Sequence, residues 1–319
     1  MTILVDQDTR VICQGMTGRA GTHYSSVMLE YGTRVVGGVR PGKGDSHHLN
    51  LPVFDTVASA MAETGANASM LFVPPDRAAN AMIEAIEAEM PLIVALTERV
   101  PVRDMMRVRD ALKQGSTILV GPNSQGILAP DVCNIGVMAT GNARRGNVGI
   151  LSRSASLTSE VIAQLSDAGL GQSTTVGIGG DAIHGLSMRA CFELFLADSD
   201  THGVVVIGEI GGTDEEELAE FISAAKPKIP VVALIVGRYA PAWPMRRHCG
   251  QCRGRCRKQD RGAARCRRRH CRKPPSRGKD DAAGAWAGRL SLPIPSGIRD
   301  VSRRQVGAMS KEGTWRATF

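Results

Sequence analysis

Through residue 245, short apolar runs rich in β-branched residues alternate with longer stretches of helical periodicity, the signature of βαβ units around a mostly parallel sheet. The first series predicts strands at 11–13, 35–39, 69–73, 92–96 and 118–120. Helical patterns lie between them, such as 76–88, opened by Asp76 as N-cap, and 102–114. Residues 122–146 carry Gly and Asn without clear periodicity and read as an irregular link. A second series predicts strands at 148–151, 174–178, 204–207 and 231–236. The expected fold class is α/β, with one domain over 1–125 and a second over 126–245. Over 246–319 the periodicity stops, no amphipathic face is left to bury, and the expectation is an irregular tail.

Composition splits the chain at the same place. The formal charge of +8 averages two unlike parts: residues 246–319 hold 21 Lys and Arg against 5 Asp and Glu, which leaves 18 against 26 for residues 1–245. Five of the eight cysteines, Cys249, Cys252, Cys256, Cys266 and Cys271, also fall in the tail. With 319 residues, 43% of them apolar, the chain can build two cores, and its balance excludes a disordered or membrane protein. The longest apolar run, 229–237, falls short of the roughly 20 residues of a spanning helix. The start, Met1-Thr2-Ile3-Leu4-Val5-Asp6, lacks the basic and then apolar stretch of a secretory signal. The expected compartment is therefore the reducing cytoplasm, without disulfides.

Two segments carry candidate chemistry. Gly15-Met16-Thr17-Gly18-Arg19-Ala20-Gly21-Thr22 follows the first strand and opens a helix, where glycines permit a tight turn and free N–H groups can meet a phosphate. A purely structural glycine turn is the alternative. Thr17 stands where a dinucleotide fingerprint has its central Gly, and no acidic residue ends the second strand at Val39. Arg40-Pro41-Gly42-Lys43-Gly44 follows instead, a basic loop suited to a phosphorylated ribose, so coenzyme A fits better than NAD. The other segment, Ser152-Arg153-Ser154-Ala155-Ser156, also follows a strand and starts a helix, whose N–H groups and dipole can receive a phosphoryl group.

These segments, with Val11-Ile12-Cys13-Gln14-Gly15, Gly37-Gly38-Val39, Leu51-Pro52-Val53-Phe54, Thr97-Glu98, Gly121-Pro122-Asn123, 176–181 and 207–212, stand in the order and spacing of one family. Over roughly residues 1–240 the chain resembles the α subunits of succinyl-CoA synthetase (succinate–CoA ligase) and of malate–CoA ligase. The resemblance implies a Rossmann-like CoA-binding domain followed by a flavodoxin-like one. It also implies formation of an acyl-CoA from a dicarboxylate, CoA and a nucleoside triphosphate through an acyl phosphate and a phosphohistidine. ATP or GTP with Mg²⁺ would sit on a partner β subunit with an ATP-grasp fold.

By resemblance, Thr17, Gly18, Arg19 and Ala20 hold CoA phosphates, Lys43 neutralises further phosphate charge, and Leu96, Thr97 and Glu98 line the cleft. Thr17 as a plain helix cap and Lys43 as a solvated charge are the structural alternatives. Ser152, Ser154, Ala155 and Ser159 would flank the phosphoryl and substrate site, and Glu209, otherwise a loop carboxylate, would orient the phosphorylated imidazole.

The chain departs from the family at several positions. Gly-Pro-Asn-Cys-Pro-Gly becomes Gly121-Pro122-Asn123-Ser124-Gln125-Gly126, Ala155 replaces a Gly, and Ser159 stands where the family keeps a substrate-contacting Tyr. After Ala240-Pro241 the Gly-His-Ala-Gly that carries the phosphoryl group is missing; His248 is near in number but sits in Arg246-Arg247-His248-Cys249-Gly250. The tail admits three readings. Its cysteines with His248 and His270 offer zinc ligands without the paired spacing of a known finger, and its charge would attract nucleic acid but with few aromatics to stack bases. The preferred reading is a shifted frame. Synonymous codons from His248 onward allow the frame starting at the second base of the Arg247 codon to encode Gly-Ile-Ala-Gly-Asn-Ala-Glu-Gly-Asp-Ala-Gly-Ser-Lys-Ile-Ala-Ala-Leu-Arg-Asp-Ala-Gly-Val, which is similar to the family's continuation. A shifted tail would leave the second domain incomplete.

Overall fold

The computed structural model describes residues 2–237, so His248, His270 and the five tail cysteines lie outside the described residues. Two sheets follow one another along the chain. The first contains β1 (Arg10–Gln14), β2 (Arg34–Val39), β3 (Ser46–His48), β4 (Leu51–Phe54), β5 (Ala68–Leu71), β6 (Leu92–Ala95) and β7 (Ile118–Val120), in the order β3-β4-β2-β1-β5-β6-β7. All its pairings are parallel except the β3–β4 hairpin at one edge. Helices α1 (Arg19–Tyr31), α2 (Val57–Thr64), α3 (Pro75–Glu87) and α4 (Val102–Leu112) supply the crossovers.

The second sheet adds β8 (Gly126–Ala129), β9 (Cys133–Gly136), β10 (Arg145–Ser152), β11 (Gln172–Gly177), β12 (Gly203–Glu209) and β13 (Val231–Val236), in the order β13-β12-β10-β11-β8-β9. Its crossovers are α5 (Ala155–Asp167), α6 (Met188–Ala197) and α7 (Asp214–Ala225). β10 to β13 are parallel, and β8 and β9 close the far edge in antiparallel fashion.

The central strands are buried along their length, as expected of parallel sheets covered on both faces. In the second sheet Phe192 and Phe195 of α6 are fully buried, and Phe195 packs so closely on Gly149 that a Cβ there would lie 2.5 Å from its ring. Among the described residues no helix is long and apolar enough to cross a membrane.

Two readings of the sequence need correction. Residues 122–146 are not an irregular link, because β8, β9 and the first residues of β10 lie within them and extend the second sheet. Asp76 does not cap α3; Pro74 holds the N-cap position, Pro75 opens the helix with its φ already set, and Asp76 sits in the first turn.

Strand order fixes where ligands can bind. From β1 the chain moves to β2 on one side and then returns to β5 on the other; from β10 it moves to β11 and then returns to β12. Each sheet therefore has a switch point beside its first parallel strand, where neighbouring loops diverge and leave a crevice at the carboxyl ends of the strands.

Candidate functional site

At the first switch point, Gly15 to Gly18 turn from β1 into α1. Gly15 has φ +86°, and a Cβ there would lie 2.6 Å from the Phe72 carbonyl oxygen across the crevice; a Cβ on Gly21 would lie 2.3 Å from the Gly15 oxygen. Only glycine allows the turn, the helix and β5 to come this close. Gly18 is the N-cap and offers no side chain to the helix start, whereas Thr56 caps α2 and Ser187 caps α6. Among the described residues the amides of Thr17, Arg19 and Ala20 have no acceptor. No acidic residue occupies the first turn of α1, so its positive end stays open to an anion.

Cations rim this opening. Arg40, just past β2, donates from Nη1 to the Thr17 hydroxyl, and Arg19 is exposed in the first turn. In the loop after Arg40 the amides of Lys43 and Gly44 donate to Asp55 Oδ1 at 3.0 and 2.9 Å. The Gly44 amide foremost, with those of Gly42 and Lys43, holds the Asp55 carboxyl below its ordinary pKa. This fixes the backbone while the Lys43 side chain stays exposed. On the other side, Tyr24 stacks on Phe72 with centroids 5.2 Å apart. Thr97 donates from Oγ1 to the Val73 oxygen at 2.7 Å; Leu96 before it is buried and Glu98 after it is exposed.

The second switch point is braced differently. Ser154 is the N-cap of α5 but its side chain does not cap it. Ser152, fully buried, accepts the Ser154 amide at 3.0 Å and the Thr158 hydroxyl at 2.6 Å, and Gln125 donates to that hydroxyl at 2.7 Å. Ser152 is therefore committed to the loop itself. Ala155 and Ser159 are exposed at the helix start, and the amides of Ala155 and Ser156 have no acceptor among the described residues.

Beneath that helix start Arg153 is enclosed, its side chain 2% exposed. Its Nη1 donates to Gly211 O at 3.0 Å and to both oxygens of Glu215 at 3.1 and 3.2 Å. Its Nη2 stands 3.9 Å from Oε1 of Glu209, a carboxylate 37% exposed to the crevice. Glu215 Oε1 also accepts the Glu209 amide at 3.0 Å. His184 Nε2 lies 2.9 Å from Asp214 Oδ2, and this hydrogen bond leads the effects that lower the Asp214 pKa.

The two crevices meet. Asn123, after the cis Gly121–Pro122 bond, donates its amide to Thr97 O at 2.9 Å on the first rim and its Nδ2 to Asp181 Oδ1 at 3.0 Å on the second. A Cβ on the neighbouring Gly180 would lie 3.4 Å from Glu209 Oε1 and 3.5 Å from Arg153 O. The segment from β11 to α6 is tied to the first sheet by Gly185 N–H to Gly121 O at 2.9 Å and Leu186 N–H to Leu119 O at 2.7 Å. Asn123 thus joins the loops at the carboxyl edges of the two sheets.

The structure gathers Thr17, Gly18, Arg19, Ala20, Lys43, Leu96, Thr97 and Glu98 at the carboxyl edge of the first sheet. Ser152, Ser154, Ala155, Ser159 and Glu209 lie at that of the second. Sequence reasoning missed Arg40 as the partner of Thr17, Glu215 as the partner of Arg153, and Asn123 as the bridge. The signal for Glu215 was present: an Arg between two serines at a buried strand end needs an acid to be enclosed. Cys13 and Cys133 are buried, and that burial pushes both thiols up to about 12, away from the reactive thiolate.

A family model described as CoA binding domain matches residues 6–99, and one described as CoA-ligase matches residues 151–261. The chain is 48% identical over 252 residues to the succinate–CoA ligase [ADP-forming] subunit alpha of Aquifex aeolicus, covering 78% of this chain and 82% of that one. To the protein of the same name from Staphylococcus aureus it is 44% identical over 250 residues, with the same coverage. Among solved structures, ATP citrate lyase from Methanothrix soehngenii in complex with citrate and coenzyme A matches with a TM-score of 0.67 at 22% identity, over 76% of this chain and 42% of that chain. A dinucleotide-forming acetyl-coenzyme A synthetase from Ca. Korarchaeum cryptofilum matches with a TM-score of 0.61 at 17% identity, over 73% and 51%. At these identities the likeness is one of fold, and this chain spans about half of each of those chains or less.

Proposed function

The chain belongs to the succinate–CoA ligase α-subunit family, an acid–thiol ligase family, and from that premise we propose that it binds coenzyme A at the start of α1 and serves a two-subunit ligase acting on a dicarboxylate. The observation that carries this reading is the pair of helix starts free of side-chain caps, one at each switch point, joined along one rim by Asn123.

At the first, the amides of Thr17, Arg19 and Ala20 receive the CoA diphosphate, with Arg40 and Lys43 lending positive charge and Leu96, Thr97 and Glu98 following the rest of the molecule toward Asn123. At the second, the amides of Ala155 and Ser156 receive a phosphoryl oxygen, and Glu209 faces the imidazole that would carry it. Where a phosphohistidine supplies the acyl phosphate, the CoA thiol would attack its carbonyl: the S–C bond forms, the C–O bond to phosphate breaks, and inorganic phosphate leaves carrying the thiol proton. ATP or GTP with Mg²⁺ belongs to the ATP-grasp partner, and succinate is the first dicarboxylate to test.

The family's Gly-His-Ala-Gly does not occur in this chain, and His248 lies outside the described residues. The reading therefore includes retained CoA binding with loss of phosphoryl transfer. Calorimetric titration with CoA is expected to give saturable binding. Incubation with a β subunit, ATP and Mg²⁺ is expected to leave no acid-labile phosphate on the chain. Absence of CoA binding would refute the first half, and a phosphorylated His248 the second.

A further inference from the structure

Met16, at the heart of the first turn, is pinned from two directions. Its side chain is fully buried under β2, where a Cβ on Gly38 would come within 2.4 Å of the Met16 sulfur. Its carbonyl accepts the Thr22 hydroxyl at 3.0 Å. A threonine hydroxyl has one proton, so with that proton on Met16 O, Thr22 Oγ1 can only accept from its other neighbour. That neighbour is His48 Nε2, 2.7 Å away on β3. In that arrangement the His48 ring proton would sit on Nε2, making a relay from His48 N–H to the Thr22 hydroxyl to the Met16 carbonyl.

The Met16–Thr17 peptide is trans, so its C=O and N–H point in opposite directions. Fixing the carbonyl toward Thr22 aims the Thr17 amide the other way, and that amide has no acceptor among the described residues. We infer that His48 is a positioning residue of the anion site: without touching the ligand, it sets the direction of the Thr17 N–H through Thr22. The β3–β4 hairpin, which the strand pattern did not predict, then has a task. Together with Gly38 and Arg40 it makes the segment after β2 the template on which the turn after β1 is shaped. This rests on the reading of that turn as a CoA diphosphate site, and the test separates the two.

The full chain is examined as wild type, His48→Phe, His48→Gln and Thr22→Val. Without ligand, imidazole ¹⁵N shifts are expected to report an Nε2–H tautomer for His48. The Thr17 amide resonance is expected to move in His48→Phe and Thr22→Val and to stay near its place in His48→Gln, whose side-chain amide still donates. Titrated with CoA and with dephospho-CoA, His48→Phe and Thr22→Val are each expected to bind about ten-fold more weakly, equally for both ligands, while His48→Gln stays within about two-fold of wild type. The double variant His48→Phe/Thr22→Val should bind no worse than either single one, because each breaks the same relay. An Nδ1–H tautomer, a Thr17 amide indifferent to His48→Phe, or a loss in His48→Gln as large as in His48→Phe overturns the relay. If wild type binds no CoA, the CoA reading fails, and the tautomer and the Thr17 amide still decide the relay.

Discussion

The starts of α1 and α5 occupy the same place in their sheets and are built in opposite ways. At α1 the amides stand open, and the side chains around them are cationic and exposed: Arg19, Arg40 and Lys43. At α5 the Ser152 and Thr158 hydroxyls are bonded to each other and the Gln125 amide donates to Thr158, and the neighbouring charges are mostly acidic, Glu209, Asp214 and Glu215 around the enclosed Arg153. An open cationic cradle suits an anion that docks and stays, since exposed cations add attraction without having to be held rigidly. A braced acidic one would hold an anion less tightly, because the carboxylates nearby repel it. The topology supplies two equivalent crevices, and the side chains make them unlike.

The largest predicted effect breaks the second site. Arg153→Met leaves the carboxylate of Glu215, 11% exposed, without its cation. Removing one partner of a buried pair costs about 3–5 kcal/mol, while replacing both with apolar side chains is often close to neutral. Thermal unfolding should show a fall of about 10 °C in Arg153→Met and a much smaller one in Arg153→Met with Glu215→Met. CoA titration of the still-folded single variant at low temperature should match wild type, which would separate the two crevices energetically.

The next breaks the first site. Gly15→Ala places a Cβ 2.6 Å from the Phe72 oxygen on a residue with φ +86°. Relief requires the turn to move, at a cost of order 1–3 kcal/mol. CoA affinity should fall more than ten-fold while the melting temperature falls by only a few degrees. Binding close to wild type would mean that the turn is not the cradle.

What could be read from the chain without the structure follows the same division. The parallel strands were legible because each is a buried apolar run, and the tight turn after β1 because Gly15, Gly18 and Gly21 recur at a spacing suited to close backbone approach. β3, with the sequence Ser46-His47-His48, and β9, with Cys133-Asn134-Ile135-Gly136, were not legible. Such short edge strands carry too few residues to show a period, and each is held only by an antiparallel pairing with its neighbour in the chain. The hydrogen bond of Arg40 to Thr17 and that of Arg153 to Glu215 were hidden for another reason, since they join residues 23 and 62 positions apart.

A third prediction sharpens the acidic character of the second site. The hydrogen bond from His184, ahead of its charge and that of Arg153, lowers the pKa of Asp214 below that of an unfolded chain. A depressed carboxylate stabilises the fold fully above the ordinary carboxylate range, and that contribution is lost as pH falls through the folded pKa. Asp214→Asn should therefore cost about 1 kcal/mol at neutral pH, discounted for partial exposure, with the gap to wild type closing as the pH is taken below 4. Urea unfolding at pH 3, 5 and 7 reads this directly. A gap that stays constant with pH would mean that the Asp214 carboxylate contributes no charge-dependent stability.

The smallest effect tests whether the cations of the first site act as a field or as clamps. The backbone around Lys43 is fixed by Asp55, but the Lys43 side chain is exposed, and an exposed charge near an anion contributes about 0.5 kcal/mol and is screened within about 10 Å at 0.1 M salt. Lys43→Ala should weaken CoA two- to three-fold at low ionic strength and become indistinguishable from wild type near 0.5 M salt. Arg40→Ala should behave otherwise, because Arg40 is bonded to the Thr17 hydroxyl and its loss frees the turn as well as removing a charge; a deficit should persist at high salt. If both deficits vanish with salt, the cradle is held by β1 and α1 alone and Arg40 acts only through its charge. If the Lys43→Ala deficit survives 0.5 M salt, Lys43 contacts the ligand directly and the open cradle is more tightly built than its free side chain indicates.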